Sequence, residues 1–157
     1  MSTDRRQPNT ATVRKLFEAF NHDDPRPYDE LVAPEYAGPQ GNQRGPAALR
    51  LVAAGLRAAF PDLHYALDEV LAEGDDVAVR WHWTGTHQAP FRGYAPTGRP
   101  VTNTGLGIFR VRDGKIVSST IETDRLGFLQ QIGVVPEGVG TGAKPPQATP
   151  GTGAAGN

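Results

Sequence analysis

The chain has 157 residues, of which 38% are hydrophobic, and it carries 16 basic and 17 acidic side chains and no cysteine. This length suits one domain with a core of its own. The mixed, nearly balanced charges predict no nucleic-acid or membrane partner, and the absence of cysteine excludes disulfides and cysteine-bound zinc. Because the N-terminus is polar and no apolar stretch could cross a bilayer, we expect a cytoplasmic protein.

Three helices are predicted in the first third of the chain. Asn9 or Thr10 can cap the first of them. A short second helix follows near Pro27–Val32, and a third begins at Pro46 and ends before Pro61. The residues that recur at helical spacing in the first helix, and therefore face a core, are Val13, Leu16, Phe17 and Phe20.

After Pro61 the hydrophobic period changes from helical to two, which is typical of strands. A strand with Trp81 and Trp83 on one face follows the Glu73–Asp76 turn, and a loop runs from Gln88 to Pro100. Two further strands are predicted at Val101–Val111 and Lys115–Thr123. The fold class is therefore α+β: a curved antiparallel sheet wrapped over N-terminal helices, forming a cone with an internal pocket.

The composition divides the chain into two parts. Residues 1–134 have the pattern of a folded domain, whereas residues 135–157 are dominated by Gly, Pro, Ala and Thr. Such a segment buries too little apolar surface to offset the entropy of ordering, so we predict a disordered tail.

The strand register of the last hairpin decides which side chains face the pocket. We predict a type I turn at Arg112-Asp113-Gly114 closed by a glycine bulge. In this register the aliphatic residues share the pocket-facing side with the polar residues of both strands, and a two-residue Asp-Gly turn would change every assignment. The residues placed on this side are Thr102, Thr104, Leu106, Ile108, Ile116, Ser118, Thr120, Glu122 and Asp124.

Asp124 is the candidate catalytic residue. It ends the last strand, and the predicted register points it at apolar walls, where desolvation favours the protonated carboxyl and suits it to proton transfer. The alternative is that Asp124 only caps the short helix that follows. Glu122 is predicted to face the same way, either as a second acid/base group or at a solvated pocket rim.

Several further residues are candidate substrate contacts. The aromatic residues Trp81, Trp83, Phe91 and Tyr94 cluster near the predicted opening, although aromatic residues in a small domain often serve only as core. Tyr36 lies in a loop, where its phenol can bind a ligand oxygen, and Thr120 shares the face of Glu122. His87 is a polar contact or a surface histidine. No histidine spacing fits a metal site.

Short motifs in the order Ala58–Leu63, Glu73–Asp75, Gly85–His87, Pro96–Gly98 and Asp124–Gly127 resemble the SnoaL-like polyketide cyclase family. The resemblance covers about residues 13–133. It implies the cone of the nuclear-transport-factor-2-like superfamily, a homodimer packed through the outer sheet face, and a cofactor-free aldol cyclisation of a hydrophobic polyketide ester. It also assigns the acid/base role to Asp124. Thr120 and Ala37-Gly38 depart from the family pattern, which implies a reshaped pocket.

Two other functions remain open at this point. The same fold supports epoxide-opening enzymes or isomerases, although the chain offers no convincing second aspartate and bridging arginine. It also supports a non-catalytic module that binds a hydrophobic metabolite.

Overall fold

The computed structural model describes residues 6–37 and 43–140. Four helices and four strands follow one another in the order α1 (Arg6–His22), α2 (Tyr28–Leu31), α3 (Pro46–Ala59), β1 (His64–Glu73), β2 (Asp76–Thr86), β3 (Pro100–Arg112), β4 (Lys115–Thr123) and α4 (Arg125–Gln131). The strands form one antiparallel sheet in sequence order. The predicted α+β class is confirmed: the helices pack on a curved, unclosed antiparallel sheet of four strands.

The helices begin and end near the predicted boundaries, with one exception. Helix α3 has Pro46 in its first turn and ends before Pro61, as expected of these two prolines. Helix α1 begins at Arg6, so the predicted cap at Asn9 or Thr10 is wrong. Asn9 instead lies inside the helix, where its side-chain amide donates a hydrogen bond of 3.2 Å to the Gly74 carbonyl. This bond ties α1 to the β1–β2 turn.

Apolar residues of α1 pack against the inner face of the sheet and form the core. Val13, Leu16 and Phe17 are buried, as the helical spacing predicted. The Phe17 ring contacts the Trp81 and Phe109 rings at centroid distances of 5.5 and 5.8 Å. Aromatic contacts of this kind add to the stabilisation from burial, so α1 is firmly held against β2 and β3.

The β3–β4 hairpin differs from the prediction. Arg112 pairs with Lys115, which leaves a two-residue Asp113-Gly114 turn in which both φ angles are positive. This is the geometry of a type I′ turn, so the predicted three-residue turn is wrong. A bulge follows, because Val111 pairs with Ile116 while Arg110 pairs with Ser118.

The two-residue turn and the bulge together explain why the predicted facing is wrong. Ile116 is fully buried opposite Val111, whereas Leu106 and Ile108 are 54% and 49% exposed on the outer face. Thr120 and Glu122 pair with Ile108 and Leu106, so they also lie on the outer face. The inner positions belong to Val101, Asn103, Gly105, Gly107, Phe109 and Val111.

Glycines on the inner face of β3 make room for a tryptophan. Gly105 pairs with Trp81, and a Cβ atom added to Gly105 would lie 2.5 Å from the Trp81 ring. A Cβ atom on Gly107 would lie 2.6 Å from Ile121. The facing of β3 therefore leaves space for the Trp81 ring. The prediction had instead grouped the aliphatic residues on one face and took no account of this space.

Residues 135–140 form turns beside α4. The side-chain amide of Gln130 donates hydrogen bonds to the carbonyls of Pro136, Glu137 and Val139 at 2.9–3.1 Å. The rest of the predicted tail, residues 141–157, lies outside the described residues, as do residues 1–5 and 38–42.

Candidate functional site

A cavity of about 470 Å³ opens between the helices and the inner face of the sheet. Its volume lies in the range of sites for small organic ligands. Most of its wall is apolar or aromatic and comes from every helix except α2, from all four strands and from the loop between β2 and β3: Leu16, Phe17, Phe20, Leu49, Val52, Leu56, Tyr65, Trp81, Trp83, Phe91, Tyr94, Phe109, Ile121, Phe128 and Leu129. Desolvation by this wall would favour a hydrophobic ligand.

The loop between β2 and β3 forms one side of the cavity. Phe91 and Tyr94 exchange backbone hydrogen bonds of 2.9 and 3.0 Å across a tight turn, and both line the cavity as predicted. The Phe91 ring contacts the Phe60 and Phe128 rings at 5.4 and 5.7 Å. These contacts hold the loop against α3 and α4, so this part of the wall is formed before any ligand binds.

Polar side chains are few in the cavity. Tyr36 is 1% exposed and shares a 2.7 Å hydrogen bond with the Ser119 hydroxyl. Burial raises the Tyr36 pKa, an effect that this hydrogen bond opposes. Burial likewise raises the pKa of Tyr65 well above its ordinary value. Both phenols are therefore neutral at physiological pH and can donate a hydrogen bond.

Asn103 supplies an unpaired amide to the same cavity. Its side chain is 8% exposed, and its Oδ1 atom is buried without a hydrogen-bond partner. A buried polar atom without a partner is costly, and such atoms often mark a place where a ligand binds. The side-chain amide of Asn103 could therefore exchange hydrogen bonds with a ligand.

Seven of the nine predicted site residues fall into two groups. Tyr36, Trp81, Trp83, Phe91 and Tyr94 are brought together around the cavity. Thr120 and Glu122 are exposed on the outer face, so their predicted orientation toward the pocket is wrong.

His87 is neither a surface residue nor part of the cavity wall. It is fully buried, and its ring stacks on Phe60 at 5.4 Å while Nδ1 is hydrogen-bonded to the Thr97 hydroxyl at 3.2 Å. Its backbone N–H and C=O bond Arg99 and Gly98. His87 therefore fixes both ends of the turn that leads into β3.

Asp124 is exposed and is the N-cap residue of α4. Its Oδ1 atom accepts a 2.8 Å hydrogen bond from the Gly127 backbone N–H. The predicted apolar surroundings of this carboxylate are therefore wrong, because the register around the bulge turns it away from the core. Its two chain neighbours, Thr123 and Arg125, both line the cavity. The carboxylate thus lies beside the rim.

Sequence reasoning missed several lining residues. Asn103 could have been found from the alternation of β3, had Val101 and Phe109 been used to set the inner face. Ser119 and Ile121 face inward only because of the bulge at Val117, for which the sequence gives no clear signal. Arg92 and Arg125 also line the cavity. Among the described residues, no group of three His, Asp or Glu side chains could hold a metal ion.

The helices, the curved sheet and the apolar cavity between them define an α+β cone with an internal pocket. The family model for SnoaL-like polyketide cyclases matches residues 10–132. The chain belongs to this family, as the ordered motifs predicted.

Individual proteins and solved structures that are similar to this chain support the family assignment. The aklanonic acid methyl ester cyclase AcmA of Streptomyces galilaeus is 30% identical over 129 residues, which cover 78% of this chain and 89% of the relative. The solved structure of TsrD from Streptomyces laurentii is 31% identical with a TM-score of 0.73, covering 80% of this chain and 97% of that one. IdmH, a putative polyketide cyclase from Streptomyces antibioticus, is 35% identical with a TM-score of 0.69, covering 80% of this chain and 99% of that one.

In the described part of the chain, no helix is long and apolar enough to cross a membrane.

Proposed function

We propose that the protein closes a ring in a hydrophobic polyketide-like substrate by a cofactor-free, intramolecular aldol reaction in the cavity. The observation that carries this proposal is the preformed aromatic cavity of about 470 Å³ in a chain of this family. The aldol step forms a carbon–carbon bond between an enolate carbon and a carbonyl carbon. A proton leaves the first carbon and a proton reaches the carbonyl oxygen, so the product is an isomer of the substrate.

The aromatic wall supports such a reaction in two ways. It holds a flexible chain folded, and orientation of two reacting groups can lower a barrier by several kcal/mol. It also excludes water, which strengthens hydrogen bonds to the carbonyl oxygen where negative charge develops. Extended conjugation in the substrate would spread the enolate charge, so a single carboxylate could act without a metal.

Tyr36 and Ser119 are the groups best placed to donate to that oxygen. Each hydroxyl carries one proton, and their mutual 2.7 Å hydrogen bond uses only one of the two. The second proton is available to a ligand. The unpaired Asn103 amide lies in the same cavity and provides a further polar contact.

Asp124 is proposed as the group that exchanges the proton with the reacting carbon. Its position between two residues that line the cavity supports this role, and only Oδ1 is hydrogen-bonded, to Gly127, among the described residues. A substrate that protrudes at the rim would reach the free oxygen. In this role Asp124 would act from the rim and not from a desolvated interior.

The proposal is tested by incubating the protein with aklanonic acid, nogalonic acid and the methyl ester of each, the esters being those for which relatives of this chain are named. We expect a product of unchanged mass and shifted retention with one of them. Asp124→Asn should lower turnover by about 10²- to 10⁴-fold, because an amide cannot accept the proton. Asn also caps helices well, so this variant should fold normally. Asp113→Asn, at the exposed β3–β4 turn, is the matched control.

Two other outcomes would change the proposal. Near-unchanged turnover in Asp124→Asn would remove Asp124 from the mechanism and leave it only as the α4 cap. Binding of both esters without any product would instead favour a non-catalytic binding module.

A homodimer packed through the outer sheet face is also proposed. Leu71, Leu106 and Ile108 are 62%, 54% and 49% exposed on that face, and grouped exposed apolar side chains often mark an interaction surface. A second copy of the chain would cover it. The cytoplasmic location and the absence of a nucleic-acid partner stay predictions.

A further inference from the structure

The two charged side chains that line the cavity are both positive. Arg92 and Arg125 line it, and no Asp, Glu, His or Lys does so among the described residues. The Arg92 guanidinium lies 5.3 Å from the centroid of the Phe91 ring. Neither arginine side chain has a hydrogen bond or ion pair with a described residue. In contrast, Arg26 and Arg110 each bind an aspartate. Both guanidinium groups are therefore available to bind a ligand in the cavity.

Local structure places the two arginines on the same side of the cavity. Arg92 and Gly93 both have positive φ angles, so Arg92 stands at the tip of the tight turn between Phe91 and Tyr94. Arg125 is the first residue of α4, one helical turn before Phe128. Because the Phe91 and Phe128 rings are in contact at 5.7 Å, the loop and the helix meet beside both arginines.

The nearest acidic residue in the chain does not neutralise this pair. Asp124 precedes Arg125 directly, but its Oδ1 atom is engaged by the Gly127 N–H, and no ion pair joins the two side chains. The rim of an apolar cavity thus carries two guanidinium groups without a partner. Planar guanidinium groups match the geometry of a carboxylate, which accepts two parallel hydrogen bonds from them.

We infer that the substrate carries a free carboxylate, which Arg92 and Arg125 hold at the rim while the apolar part fills the cavity. This inference rests on the proposed function and names the substrate class more narrowly. Relatives of this chain are named for methyl esters, in which the esterified carboxyl group carries no charge. A carboxylate anchored at one end would also fix which carbonyl of the chain reaches Tyr36 and Ser119.

The test compares two ligands that differ only in this group: anthraquinone-2-carboxylate and its methyl ester. Isothermal titration at pH 7 and low salt should show the acid binding about 5- to 10-fold more tightly, as expected for two exposed ion pairs. The preference should shrink at about 0.5 M salt, where charges are screened within a few ångströms. The double variant Arg92→Gln, Arg125→Gln should bind the acid and the ester with equal affinity.

Arg14→Gln is the matched control, because Arg14 is exposed on α1 and does not line the cavity. It should keep the full preference for the acid. Equal or tighter binding of the ester by the unmodified protein overturns the inference but leaves the proposed cavity function intact. A preference for the acid that survives in the double variant also overturns it. If neither ligand binds, the cavity function and the inference fail together.

Discussion

The inner and outer faces of the sheet differ in where small and large side chains lie. On the inner face of β3, Gly105 and Gly107 stand where large side chains would be expected, and the space is filled by Trp81. On the outer face of the same strand, Leu106 and Ile108 are half exposed. Hydrophobicity alone would have placed these aliphatic residues inside.

The difference shows that free volume, and not only apolar character, decided which face became the interior. Protein interiors are close-packed, so a bulky ring on one strand requires a small residue directly opposite. Gly105 provides that space for Trp81, and the cavity begins where further large side chains are missing. The inner face thus supports binding, and the outer face remains available for assembly.

The largest effect is expected from filling the space beside Trp81. Gly105→Val should lower the free energy of unfolding by about 3 kcal/mol, because its side chain would overlap the indole ring. Urea denaturation measures the change. Gly105→Ala should cost about 1–2 kcal/mol, in case the valine variant does not fold. Thr104→Val, one residue away on the outer face, is the control and should stay within about 0.5 kcal/mol. Equal costs for Gly105→Ala and Thr104→Val would contradict the packing difference.

Alkaline unfolding tests how well the interior of the protein is shielded from water. Burial raises the pKa of Tyr28 to about 12 and also raises that of Tyr65. The folded state thus holds these phenol protons more tightly than the unfolded state does. The contribution of the two tyrosines to stability is complete below the ordinary pKa of 10 and is lost as pH rises through the folded-state value. The free energy of unfolding should therefore fall by about 2–3 kcal/mol between pH ~9 and pH ~11.

Phenylalanine variants identify the source of that fall. In Tyr65→Phe the loss between these pH values should be smaller by about 1 kcal/mol, since one ionisable group is removed. Near-ultraviolet absorbance of phenolate reports ionisation, and circular dichroism reports unfolding. Phenolate formation well before unfolding would show that these rings are accessible to water.

The outer face can be tested through the state of assembly. Ile108→Lys should weaken the proposed homodimer by about 10- to 100-fold, since each copy would place a charge in the contact. Sedimentation equilibrium measures the dissociation constant. Val134→Lys is the control, because Val134 is 45% exposed but lies after α4. A monomeric unmodified protein at micromolar concentration would contradict the dimer.

The smallest expected effect concerns the α4 cap. Asp124→Ala removes the acceptor for the Gly127 N–H and should cost about 1 kcal/mol of unfolding free energy. Asp124→Asn should cost only a few tenths of a kcal/mol, since Asn caps equally well. Thermal unfolding of both variants measures the difference. Equal stability of the two variants would show that the capping bond contributes little.

The fold could be predicted from the sequence because its signals are local. Pro46 and Pro61 bracket α3, and the alternation around Trp81 and Trp83 indicates a half-buried strand. The ordered motifs then identified the family, which the match over residues 10–132 confirmed.

The site could be predicted only in part, because facing in β4 depends on a bulge. One extra residue at Val117 reverses the facing of the positions from Ser118 to Thr123 relative to Ile116. Asp124 was therefore assigned to an apolar interior, whereas the structure places it at the exposed start of α4. Tyr36, Phe91 and Tyr94 were found because loop aromatic residues need no register.

The most direct measurement concerns whether the inner cavity holds the ligand. The chain has two tryptophans, Trp81 and Trp83, and both line the cavity, so quenching of their fluorescence reports binding. Val52 of α3 lines the cavity, whereas its neighbour Leu51 is 52% exposed. Val52→Phe should weaken binding of anthraquinone-2-carboxylate methyl ester at least about tenfold, and Leu51→Phe should leave it unchanged. Unchanged binding in Val52→Phe would contradict a functional site inside the cone.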